Sequence, residues 1–96
     1  MEGTLVYAGS PADVRPGVHQ RIEGTVLPGT LVGTDGEATF VLEGDGRRLP
    51  VRALQAPPGA FREGQGAVVE GALDVQGTFV ADTVVAQHGN SYRAAQ

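Results

Sequence analysis

The sequence predicts an all-β domain: a small closed antiparallel barrel of five to six strands, followed by a flexible C-terminal tail. Three observations lead there. Fifteen glycines and six prolines recur between short apolar runs instead of gathering in one tract, which is how turns punctuate a barrel or sandwich. Aromatics are few, Tyr7, Phe40, Phe61, Phe79 and Tyr92, so the core is built mainly from Val, Leu and Ala. With 96 residues, 41% of them apolar, the chain can bury one core but not two. The expected division is a barrel over 1–87 and a tail over 88–96.

The elements follow in order. Leu5-Val6-Tyr7 reads as a short edge strand. Ser10-Pro11-Ala12-Asp13 reads as a single helical turn, with Ser10 as cap and Pro11 in the first turn; Arg15-Pro16-Gly17 stops it. His19 to Leu27 is the first clear strand, and Gly24 within it marks a bend or bulge. Leu31-Val32 adds a little strand between turns at Pro28-Gly29 and Asp35-Gly36. Ala38 to Glu43 is followed by the hairpin signal Asp45-Gly46. In Arg48 to Ala53, Leu49, Val51 and Ala53 alternate with Arg48, Pro50 and Arg52, and Pro50 places the strand or its beginning at an edge. Phe61, after the Pro57-Pro58-Gly59 connector, is expected to plug the bottom of the barrel. Ala67 to Val75 and Thr78 to Gln87 are the last two strands. Five or six short strands with one non-hairpin connector fit an OB-type barrel, with an SH3-like barrel as the alternative.

Composition excludes several functions. Seven Arg, no Lys and eleven acids give a net charge of −4, a poor surface for phosphate backbones or anionic lipid. No cysteine is present, so neither a disulfide framework nor a thiolate metal site exists. No apolar run approaches the roughly 20 residues of a membrane helix. No phosphate-binding loop, zinc-protease motif or ordered Ser-His-Asp set is found.

Two histidines remain. His19 stands at the entrance of the first long strand and reads most simply as an exposed strand-end residue. His88 stands where the last strand ends, with Tyr92 four residues later. Imidazole is a nucleophile or ligand near neutral pH, and a phenol can ligate ferric iron. From the residues alone, an inert tail and a ligand-holding tail both stay open. In the last strand, Phe79, Ala81, Thr83 and Val85 share one face by simple alternation, and Val80, Asp82, Val84 and Ala86 the other. With the first set inward, Val80, Val84 and Ala86 form an outer apolar strip that leads to His88 and suits a flat, greasy ligand, unless the N-terminal segment covers it.

The run Phe61-Arg62-Glu63-Gly64-Gln65-Gly66-Ala67-Val68-Val69-Glu70-Gly71 and the run Phe79 to His88, followed by Tyr92, are very similar to the CcmE-type haem chaperones of cytochrome c maturation. The resemblance extends from about Tyr7 to Tyr92. It implies an OB-type barrel facing the periplasm, anchored in the inner membrane by an N-terminal helix that this chain lacks. The family receives haem from membrane haem-delivery components and passes it to the haem-ligation machinery for apocytochrome c. By position, His88 would bond covalently to a haem vinyl group and Tyr92 would be the axial iron ligand. The protein would be a carrier, monomeric in this form, and not an enzyme. Attachment needs neutral imidazole and should weaken well below a pH of about 6.5. Two departures stand out: Gly89-Asn90 replace the acidic residues usual after the histidine, and Arg93-Ala94-Ala95-Gln96 replace a proline-rich continuation.

Rival readings come from other classes. An OB-type barrel that binds nucleic acid or oligosaccharide needs stacking aromatics and a basic groove; here only Phe40 and the Arg47, Arg48, Arg52 cluster qualify. A barrel edge that docks a protein partner is the third.

Overall fold

The computed structural model describes residues 9–57 and 61–87. They form a 3-10 turn, Pro11–Asp13, and six strands: β1 (Gln20–Val26), β2 (Val32–Thr34), β3 (Glu37–Gly44), β4 (Arg47–Ala53), β5 (Gly66–Leu73) and β6 (Phe79–Gln87). The strand order is β1-β5-β6-β4-β3-β2, and β1 also pairs with β3. That last pairing closes β1, β5, β6, β4 and β3 into a five-stranded barrel, with β2 added beside β3. Thr25 is the corner, facing Gly66 on β5 and Glu43 on β3. The pairings are antiparallel except β4 with β6, where Val51, Arg52 and Ala53 run parallel to Phe79, Val80 and Ala81. The expected edge strand at Leu5-Val6-Tyr7 lies outside the described residues.

The β3–β4 hairpin follows its sequence pattern closely. Ala38, Phe40 and Leu42 point inward and face Ala53, Val51 and Leu49 across the ladder. Its two-residue loop holds both φ angles positive, Asp45 at 49° and Gly46 at 80°, the turn whose twist matches paired strands. Asp35-Gly36 joins β2 to β3 in the same way, at 40° and 84°. Pro50 pairs with Val41 on β3 and sits just before the β6 ladder begins at Val51. The beginning of β4 is therefore the edge, and the missing N–H removes no bond to β6.

Phe61 is 6% exposed and its ring lies 5.0 Å from that of Phe40, tilted by 58°. Such a pair contributes about 1 kcal/mol beyond its burial and closes the barrel end. The following turn is bonded to the end of β1, with Gly64 N–H donating to the Val26 carbonyl at 2.7 Å and Val26 N–H to that of Gln65 at 3.0 Å. The Glu63 carboxylate accepts from Leu31 N–H at 2.9 Å.

At the other flank, Ser10 caps the 3-10 turn, accepting from Ala12 N–H at 3.1 Å, while its own N–H donates to Asp13 at 3.0 Å. This cap seats Pro11 against the barrel wall. A Cβ on Gly24 would lie 2.8 Å from the Glu43 carbonyl oxygen and 3.3 Å from Pro11. Gly24 is thus a close-approach glycine. The β1–β5 ladder passes through it regularly, so of the bend or bulge expected there no bulge occurs, while the corner, where β1 passes from β5 to β3, lies at the adjacent Thr25.

The last strand holds the principal correction. Simple alternation put Val80, Val84 and Ala86 together on the outside. The ladder instead shifts between Glu70 and Gly71: Glu70 faces Thr83 while Gly71 faces Ala81. Asp82 is the extra residue of a β-bulge, and the faces exchange beyond it. Phe79 and Ala81 are fully buried, Val84 and Ala86 pack against the core, and Val85 is left 45% exposed. Of the expected strip, Val80 alone stays on the outer face, opposite Arg52 and Ala72.

The outer face and exit of the last strand

The bulge depends on Gly71. A Cβ there would overlap the Val80 carbonyl oxygen and stand 2.8 Å from the Ala81 Cα, contacts with backbone that no rotamer change relieves. Opposite it, the Asp82 carboxylate accepts from the Thr83 hydroxyl at 2.9 Å and lies 3.0 Å from His19 Nε2. These bonds, His19 first and Thr83 second, hold the Asp82 carboxyl below its ordinary range. An ionised carboxylate can only accept, so in this contact His19 donates through Nε2–H.

His19 is carried by a well-tied segment. The Gln20 side chain donates to the carbonyls of Arg15 at 2.6 Å and Val18 at 3.1 Å, and accepts from Arg15 N–H at 3.1 Å. Pro16 bridges to Leu73 at the end of β5. Beside His19 a recess of about 280 Å³ is lined by Gln20, Arg21 and Glu70. Arg21 Nε lies 3.3 Å from the Glu70 carboxylate, yet is buried without an aligned hydrogen bond.

Past the bulge, Val85 pairs with Val68, which is 7% exposed although it lies outside the core cluster. Val80 and Val85 are the accessible valines of this outer face, and the Glu70–Thr83 pair stands between them. β6 ends at Gln87, opposite Gly66. Gly66 also lines a cleft of about 350 Å³ between Gly9-Ser10, Glu23–Thr25 and Glu43–Asp45. Neither this acidic-rimmed cleft nor the recess at His19 is an apolar chamber for a flat ring.

His88 follows Gln87 directly, and both His88 and Tyr92 lie outside the described residues. Among the described residues no three or more His, Asp and Glu side chains are placed to hold a metal ion, and no helix is long and apolar enough to cross a membrane. The middle of the barrel offers little to a phosphate backbone: Arg48 and Arg52 are each 3.3 Å from a carboxylate, Glu43 and Glu37 respectively. Sequence reasoning missed the Asp82–His19 link, since 63 residues separate the partners and no local pattern announces it.

The described residues form a closed OB-type barrel whose last strand ends at Gln87. Residues 5–95 match the family model of the CcmE domain, and the chain belongs to the CcmE family. It is 45% identical to the cytochrome c-type biogenesis protein CcmE of Methylobacterium sp. strain 4-46, over 96% of this chain and 60% of that protein. The CcmE protein of Methylobacterium nodulans is 44% identical over 96% of this chain and 58% of its own length. That of Bradyrhizobium diazoefficiens is 46% identical with the same coverage, 96% and 58%. The chain thus spans about three fifths of the length of the curated relatives it matches.

Proposed function

We propose that this protein is a haem chaperone of cytochrome c maturation: it holds haem transiently through His88, with Tyr92 as axial iron ligand, and surrenders it for cytochrome assembly. The observation that carries this reading is the family match over residues 5–95, which includes both tail residues. The domain works on the periplasmic side and, in its native form, is held at the inner membrane. Its partners are the membrane components that deliver haem, those that ligate it, and apocytochrome c. No catalytic turnover is involved. Haem is its cargo.

The chemistry asked of the tail is modest. Adding an imidazole N–H across a vinyl double bond forms one N–C bond and one C–H bond, so the attachment itself consumes no oxidant. A vinyl group lies at the rim of the macrocycle and the iron at its centre, so residues four apart in sequence can serve both. Val80 and Val85 would offer the ring apolar contacts along β6, on either side of Thr83. Their exposed part is small, which suits a load that must be released.

The test is incubation of the protein with haem and reductant, read by intact-protein mass and haem-stained denaturing electrophoresis. One haem per chain, surviving denaturation in the wild type and lost in His88→Ala, is the expected outcome. Tyr92→Phe should shift the haem absorption spectrum and keep the bond. Wild-type protein that forms no adduct, even when coexpressed with the maturation machinery, would refute the reading.

A further inference from the structure

We propose that the Asp82 bulge, clamped by His19 and seated on Gly71, is a positioning device that sets the direction in which β6 delivers His88. The inference rests on the role of His88 proposed above. It assigns His19 and Asp82 a part in placing that residue.

Three observations support it. The bulge sits where β6 parts from its neighbour: the parallel ladder to β4 ends at Ala81, while the ladder to β5 continues to Gln87. A bulge bends its strand and increases the local twist, so the course of residues 83–87 is decided there. Second, the partner strand is shaped for the bulge, because at Gly71 any side chain would collide with the Val80 carbonyl. Third, Asp82 is held from two sides, by Thr83 at 2.9 Å and His19 at 3.0 Å, and His19 belongs to a segment tied to β5 and by Gln20.

The pair is too exposed to act as a staple. His19 and Asp82 are 63% and 54% exposed, and ion pairs of that kind add little to stability. Direction is another matter. Gln87, the last described residue of β6, lies five residues past Asp82, about 16 Å along a strand rising about 3.3 Å per residue. A 20° swing at the bulge would carry it about 6 Å. Bond formation tolerates far less, since misplacement by about 1 Å can reduce a rate about 100-fold. The clamp therefore acts on attachment through orientation, and His19 and Asp82 are positioning residues.

Two readouts separate this inference from the haem reading. The chain has no cysteine, so nitroxide labels can be placed at Val32→Cys and His88→Cys and their separation measured by pulsed electron paramagnetic resonance. In the double variant His19→Ala, Asp82→Ala the distance distribution should shift by about 5 Å or double in width. In unlabelled protein that retains His88, the same double variant should lose about three-fold in haem adduct, the scale an exposed pair can supply, with little change in urea midpoint. His19→Gln, whose amide can still donate to Asp82, should recover at least about half of the yield. An unchanged distance distribution overturns the inference, and so does a changed distribution with unchanged adduct yield. If the wild type forms no adduct at all, the haem reading falls while the label distances still judge the clamp.

Discussion

The β3–β4 and β5–β6 hairpins are built to opposite rules. In β3–β4 seven residues pair without interruption, from Ala38 with Ala53 to Gly44 with Arg47, and Glu37–Arg52 and Glu43–Arg48 ion pairs lie on its outer face. In β5–β6 the ladder is broken at Asp82, a glycine is required opposite, and the outer face mixes valines with carboxylates, Glu70 and Asp82, that pair with residues outside the hairpin, Arg21 and His19. The first hairpin is scaffold, and regularity gives it a single register. The second trades regularity for a chosen direction, and it is the one that hands the chain to His88.

The sharpest way to break the contrast is Gly71→Ala. With a Cβ forced onto the Val80 carbonyl oxygen, the bulge cannot persist as built, and a loss of about 3 kcal/mol or more is expected, read by urea denaturation. If the variant keeps wild-type stability, the two hairpins do not differ as described.

A smaller effect should come from Glu63, whose carboxyl is drawn below its ordinary range first by Leu31 N–H and then by Gly29 N–H. A depressed folded-state value means that the unfolded chain binds the proton more readily. Its stabilisation is present above the unfolded value, near pH 4, and is lost as pH falls further through the folded one. Glu63→Gln should therefore flatten the loss of stability between pH 5 and about pH 3, measured as urea midpoints across that range. An equally steep loss in the variant would detach Glu63 from the acid response.

The smallest expected change is in the regular hairpin. Arg48→Ala and Arg52→Ala should each alter stability by no more than about 0.5 kcal/mol, since exposed ion pairs contribute little. A larger cost in thermal denaturation would show that β3–β4 depends on its outer face after all.

The same contrast explains what was legible in the sequence. Leu49, Val51 and Ala53 alternate with Arg48, Pro50 and Arg52, and Asp45-Gly46 names its own turn, so β3–β4 can be read directly. Ser10 and Pro11 likewise announce their capped turn. In β6 the residues Phe79 to Ala86 alternate just as convincingly, but period-2 reading has no way to see one extra residue. Val84 and Ala86 were therefore assigned to the wrong face. The signal was in the partner strand: Gly71 interrupts the run Ala67 to Leu73 without a turn requiring it, and a glycine inside a strand marks a bulge or a close approach. The same rule applied to Gly24 predicts a bend or bulge, and there the glycine instead admits Glu43 and Pro11 beside the corner at Thr25. Such a glycine shows that something approaches, without saying what. For the tail, His88 and Tyr92 were singled out by residue chemistry and family resemblance, and they lie outside the described residues.

The parallel pairing of β4 with β6 has a consequence for the order of events during synthesis. Until β6 exists, β1, β3, β4 and β5 can form only an open sheet with two unsatisfied edges, those of β4 and β5. Such edges attract other chains. β6 seals both at once, and the residues proposed to take the cargo emerge only after it. A nascent chain thus acquires its reactive end after the strand that makes it safe.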